Sequence, residues 1–193
     1  MRETLNIIRA EHRRLASVIN CFIGVLDDVK DHDLSPDLTL FEQVVVYLET
    51  FLYQFHHPKE DEYLFQRMLA HCGKHYRKTI QRLEEEHAQG KVLLSLLRKN
   101  LDLYRKNTDQ EAFMAFYNIA MVYRDFEWFH MGVEEREILP LAEEILTEAD
   151  WAELDSVFTV HDDPVFGQLP KEGFNRLAAK IISQAHAPYG LDE

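Results

Sequence analysis

Apolar residues return every third or fourth position along most of this chain, a spacing that a helix gathers into one continuous face. Leu5, Ile8, Leu15, Ile19, Phe22 and Leu26 trace the first such face, and the pattern predicts a helix ending near Lys30. Ser35 and Pro36 read as an N-cap followed by proline at the first helical position. A second helix then runs to about His71, where Gly73 is the stop signal. A third is expected from about 74 to 105. Thr108 with Glu111 has the form of a capping box, opening a fourth helix that reaches about 146. Seven glycines and six prolines in 193 residues leave few places to turn. The expected fold is therefore all-α: an up-down-up-down four-helix bundle over residues 1–147. Residues 148–193 are expected to form a helical tail packed on the bundle, because they are too few for a core of their own. Thr147 with Asp150 caps its first helix, residues 161–167 read as turn and loop, and Phe174, Leu177, Ile181 and Ile182 mark its last helix.

Charge and cysteine usage narrow the function classes. Twenty-one Lys and Arg against 34 Asp and Glu give a net charge of −13, which repels phosphate and makes nucleic acid and anionic membrane poor partners. No stretch approaches the roughly 18 apolar residues of a membrane span. Cys21 and Cys72 carry no CxxC spacing, and the first residues lack the apolar core of a secretory leader, so the expected compartment is cytoplasmic.

The ten histidines carry the chemistry. His12 follows Glu11 in the first helix and His87 follows Glu86 in the third. His56 and Glu60 stand four apart in the second, as do His130 and Glu134 in the fourth. Forty-four residues separate His12 from His56 and 43 separate His87 from His130, so the first half of the bundle repeats in the second. The flanks agree: Glu60-Asp61 and Glu134-Glu135 are each followed, after a gap, by two apolar residues, which selects His56/Glu60 over His57/Asp61. Residues four apart share one helix face, so each His-xxx-Glu aims a nitrogen and a carboxylate at the same interior point. Four imidazoles and two carboxylates converging in a core favour a metal, since a buried carboxylate without compensation is costly. Mixed nitrogen and oxygen ligands with two bridging carboxylates favour a pair of iron ions, with zinc or manganese able to use the same set.

This pattern, with the strings Phe55-His56-His57-Pro58-Lys59-Glu60-Asp61-Glu62 and Asp162-Asp163-Pro164-Val165-Phe166-Gly167, resembles the hemerythrin-like HHE cation-binding family. The resemblance implies an oxo- or hydroxo-bridged iron pair (Fe-O-Fe) held by His12, His56, Glu60, His87, His130 and Glu134, with the glutamates bridging. The chain departs from the family's best-known oxygen carriers in two places. Lys91 stands where they carry a second third-helix histidine, and Glu134 supplies the last carboxylate at four residues from His130 where they use an aspartate at five. Two octahedral irons offer twelve positions, of which the six side chains and one bridging oxygen fill ten. The open positions suit dioxygen, nitric oxide or peroxide, so the leading expectation is a non-haem di-iron protein that binds or senses such a small molecule. The alternatives are a di-iron oxidase or peroxide-decomposing enzyme, and an iron-dependent regulatory or iron-delivery module. The ferritin-like oxidases use a carboxylate-rich set with Glu-xx-His pairs, a placement not expected in this chain, which counts against that family.

Further expectations concern the surroundings. Pro58 and Gly132, each two residues after a ligand histidine, predict local widening of both metal-bearing helices. His57 is expected at the rim, one residue or about 100° from His56. Glu11 and Glu86 are expected to face solvent, and Lys91 to reach outward. Tyr53 and Tyr123 are candidates for polar support of the site. His71, His75 and His161 read as loop or turn residues, and His32 and His186 carry no pattern.

Overall fold

The computed structural model describes residues 2–32, 34–159 and 171–184. Among them every regular element is helical. The first rod is α1 (Glu3–His32) and the third is α5 (Lys74–Lys106). The second is a continuous run of α2 (Leu38–Phe51), a π-helical segment π1 (Leu52–His56), α3 (His57–Lys59), a second segment π2 (Glu60–Leu64) and α4 (Phe65–His71). The fourth is α6 (Gln110–Val133), π3 (Glu134–Ile138) and α7 (Leu139–Ile145). No helix among the described residues is long and apolar enough to cross a membrane.

Two helix starts differ from expectation. Asp37, not Ser35, caps the second rod and accepts from the backbone N–H groups of Thr39 and Leu40. Asp109, not Thr108, caps the fourth and accepts from Ala112 N–H. In both cases an aspartate lay within two residues of the expected cap, and its charge suits the positive end of a helix better than a hydroxyl does. The Thr147–Asp150 box forms as expected: Thr147 N–H and Oγ1–H both donate to Asp150 Oδ2, and Asp150 N–H donates back to Thr147 Oγ1.

The core divides into two apolar clusters. One holds Leu15 to Leu26 of α1 with Phe41, Phe51, Leu97 and Phe116; the other holds Leu5, Ile7 and Ile8 with Phe65, Leu83, Ile138 and Trp151. On the first three rods the polar site residues fall between the two, and on the fourth His130 and Glu134 straddle the boundary between Met131 and Val133. Beyond the fourth rod, α8 (Glu148–Thr159) lays Trp151, Leu154 and Phe158 against the second cluster. Thr4 N–H and Oγ1–H donate to Asp155 Oδ1 and tie α8 to α1. Ala178 and Ile181 of α9 (Lys171–Gln184) join the first cluster, where α9 packs on α1 and α2. Residues 160–170 and 185–193, with His161 and His186, lie outside the described residues, as do the side chains of Phe174 and Leu177.

Candidate metal centre

The expected widening is present on both rods that carry a His-xxx-Glu pair. In π1, His57 N–H donates five residues back to Leu52 O; in π2 and π3, Phe65 and Leu139 do the same to Glu60 and Glu134. Pro58 has no N–H to offer the carbonyl of Gln54, and Pro140 has none for Arg136, so the regular ladder is broken beside each wide turn. The added turn rotates consecutive residues to new bearings. His56 and His57 are both buried as a result, at 2% and 4% exposure. The expected rim position of His57 is corrected: its ring stacks on His87 with centroids 3.8 Å apart.

All six residues of the repeated constellation meet in one buried layer. Glu60 lies 3.8 Å from His12 Nε2, 3.5 Å from His56 Nε2 and 3.8 Å from His87 Nε2. Glu134 lies 3.3 Å from His12 Nε2, 3.8 Å from His87 Nε2 and 3.3 Å from His130 Nε2. The His87 and His130 Nε2 atoms are 2.9 Å apart. Ligand atoms about 2.0–2.2 Å from a common metal stand roughly 3 Å from one another, so these separations are close to a coordinated arrangement. Three overlapping groups keep their ligand atoms within 4.8 Å of one another: His12/His56/Glu60, Glu60/His87/Glu134 and His57/His87/His130. His12 Nε2, Glu60 Oε2 and both oxygens of Glu134 are buried without a hydrogen-bond partner. Such atoms suit a cation, because their desolvation is otherwise uncompensated.

Each of the four histidines is held from behind by a carboxylate on Nδ1. Glu135 accepts from His12 at 2.8 Å, Glu11 from His56 at 2.8 Å, Asp61 from His87 at 2.7 Å and Glu86 from His130 at 3.0 Å. This contact fixes the tautomer that turns Nε2 toward the centre and raises the basicity of the ring. The expectation of solvent-facing Glu11 and Glu86 is thereby corrected: both are buried. Each points away from its neighbouring histidine but toward the next rod, where it serves that rod's histidine. The signal was in the sequence, since Glu11/Glu86 and Asp61/Glu135 repeat with the same spacing as the histidines. Lys91 is exposed, as expected.

Glu127 escaped the sequence reading altogether. It stands three residues before His130, and Glu84 three before His87, so the expectation of no Glu-xx-His placement is corrected. Glu127 is 1% exposed and interacts with the Tyr123 hydroxyl.

The charges within the layer are strongly coupled. Burial opposes protonation of His12 and His87, yet hydrogen bonds donated to carboxylates hold them up at about 10 and about 9. Glu135 and Glu134 do this for His12, Asp61 and Glu134 for His87. Burial pushes Glu11 up, but Lys59 and His56 pull it down to about 2. Because the His12 and His87 values lie above the ordinary 6.5, their protonation stabilises the metal-free fold fully below pH 6.5. That contribution is lost as pH rises through about 9 and about 10. A metal must displace those protons. The metal-free protein is therefore expected to melt at lower temperature at pH 10 than at pH 7. Anaerobic titration with ferrous or manganous ion is expected to release protons and to tighten with pH. Calorimetry in buffers of different ionisation enthalpy checks the release, and a pH-independent affinity would contradict it.

The sequence matches the family model described as Hemerythrin HHE cation binding domain over residues 3–142, which spans all four rods up to α7. No curated protein and no solved structure matches the chain.

Proposed function

Because this chain belongs to the hemerythrin HHE cation-binding family, we propose that it holds a pair of iron ions and binds or senses a small molecule there, such as dioxygen, nitric oxide or peroxide. One observation carries the reading: Glu60 and Glu134 each reach both histidine pairs, His12/His56 and His87/His130. Carboxylates so placed suit two cations side by side better than one. The proposed ligands are His12, His56, Glu60, His87, His130 and Glu134. The alternating order of the two apolar clusters along successive rods supports the up-down-up-down arrangement, with residues 148–193 as its packed tail.

A bound iron pair would supply open coordination positions and accessible redox states. The protein's own residues do the rest. Glu11, Asp61, Glu86 and Glu135 orient the imidazoles. The flanking apolar clusters limit water. A surface cavity of about 290 Å³ lined by Ala16, Trp128 and Met131 reaches His12 and offers a small molecule a way in. The net charge of −13 and the two free cysteines, Cys21 and Cys72, fit a cytoplasmic setting without nucleic acid or membrane partners.

Metal analysis and an optical spectrum test the reading. About two irons per chain with oxo-bridged ferric absorption, and spectral changes on adding dioxygen, nitric oxide or peroxide, are expected. A single zinc per chain, or iron that responds to none of the three, overturns it. Steady-state peroxide consumption that disappears in His130→Ala would favour the enzymatic alternative.

A further inference from the structure

His57 stands against the metal layer yet belongs to neither His-xxx-Glu pair. One of its ring nitrogens lies within 4.8 Å of the ligand nitrogens of both His87 and His130. Two imidazoles on neighbouring positions of one octahedral ion have ring centroids roughly 4.5 Å apart. The His12–His56 and His87–His130 separations, 5.0 and 4.7 Å, are close to that value. Those from His57 to His87 and to His130, 3.8 and 5.7 Å, fall on either side of it. His57 is also held differently from the other four histidines. Each of those has a carboxylate on Nδ1, whereas His57 Nδ1 is buried without a hydrogen bond. Ring contacts with His87 and Tyr53 set its bearing. A side chain that served here only to fill space would leave no polar atom unsatisfied if it were phenylalanine, so packing alone does not account for an imidazole.

The internal repeat puts a different residue at the matching place in the second half. His57 follows His56 as Met131 follows His130. Where His57 turns to the His87/His130 pair, the repeat turns Met131 to the His12/His56 pair. Met131 is buried, and it lines the surface cavity of about 290 Å³ that reaches His12. A thioether is a soft donor and a poor match for an ion held by imidazoles and carboxylates. One side of the layer thus carries a further nitrogen, and the other carries an apolar side chain beside an opening.

We propose that His57 is a seventh protein ligand, bound through a ring nitrogen to the ion held by His87 and His130, so that the two ions differ. That ion then has three imidazoles, two carboxylate oxygens and the bridging oxygen, which complete an octahedron. The ion on His12 and His56 keeps one open position, on the side of the cavity. The assignment rests on the metal-pair reading above and adds to it that an external small molecule binds to the His12/His56 ion alone.

The test uses the full chain loaded anaerobically with iron-57, as wild type, His57→Phe and His57→Gly. Phenylalanine keeps the ring stack and lacks the nitrogen, while glycine leaves a gap that added imidazole can fill. Mössbauer spectra of diferrous wild type are expected to show two quadrupole doublets of equal area. Titration with nitric oxide is expected to saturate at one per iron pair in wild type and at two in His57→Phe. A chelator is expected to strip iron from His57→Phe about tenfold faster than from wild type. Imidazole should slow the loss from His57→Gly toward the wild-type rate. A single doublet in wild type overturns the assignment, as does a nitric oxide count or stripping rate that His57→Phe leaves unchanged, or a His57→Gly rate that imidazole does not alter. If either variant fails to fold, the doublets and the nitric oxide count of wild type decide the matter by themselves. Metal analysis of wild type separates the two readings. Fewer than two irons per chain removes the metal pair and the seventh ligand together, whereas two equivalent irons remove only the role of His57.

Discussion

Glu11→Ala is expected to destabilise the metal-free protein by about 3–5 kcal/mol, the range found when one partner is removed from a buried ion pair. Glu11 is fully buried and accepts from His56 Nδ1 at 2.8 Å and from Lys59 Nζ at 2.7 Å. Lys59 is itself only 2% exposed and lies over the Phe55 ring at 3.9 Å. Alanine would deprive a buried ammonium of its carboxylate in a region where water cannot replace it. Glu11→Gln keeps the shape and one acceptor, so an intermediate loss is expected. Glu148→Ala is the control: it removes an exposed partner of Arg2, and the melting temperature should stay within error. Urea denaturation at pH 7 measures all three. A Glu11→Ala loss below about 1 kcal/mol would mean that the Glu11–Lys59 pair contributes no more than a surface contact.

The same residue shows where reading the sequence stopped. Helical periodicity, the His-xxx-Glu spacing and the near-equal intervals between the histidines were legible, because each depends only on residues along one rod. Glu11 and Glu86 were not, because their partners His56 and His130 lie on the next rod. A residue one step off its own helix's inward face can still face inward for its neighbour. His57 was misplaced for a different reason. The estimate of about 100° per residue assumes α-helical geometry, and π1 replaces that geometry at the position that decides the matter. Pro58 was visible and pointed to a break, but a break alone does not say toward which bearing the next side chain turns. Glu127 was missed because the repeat, the strongest signal available, places a tyrosine at the equivalent position. Repetition finds what two halves share and hides what only one of them has. The caps at Asp37 and Asp109 are a smaller instance: several capping residues stand side by side, and only the actual path of the chain chooses between them.

The two central glutamates are expected to behave alike toward metal and oppositely toward stability. Glu60→Gln and Glu134→Gln each remove a carboxylate that reaches both histidine pairs. Either substitution should reduce the metal content from about two per chain to at most one. In the metal-free protein, burial and the neighbouring Glu134 charge push the Glu60 carboxyl upward. Its ionised form is thus disfavoured by folding, and a neutral amide of the same shape should raise the melting temperature at pH 7. Burial also opposes ionisation of Glu134, but His130, His12 and His87 overcome it and hold that carboxyl well below the usual carboxylate range. Its charge stabilises the metal-free fold above the unfolded value and is lost as pH falls, so Glu134→Gln should lower the melting temperature at pH 7. The fold would then carry Glu60 at a cost in its metal-free state because the loaded state requires it, the usual conflict between a functional site and the stability of the scaffold around it. Calorimetric melting of chelator-treated wild type and both variants, beside metal analysis after anaerobic iron loading, tests this. Two variants that retain two metals, or that shift the metal-free melting temperature in the same direction, would remove the distinction between the two carboxylates.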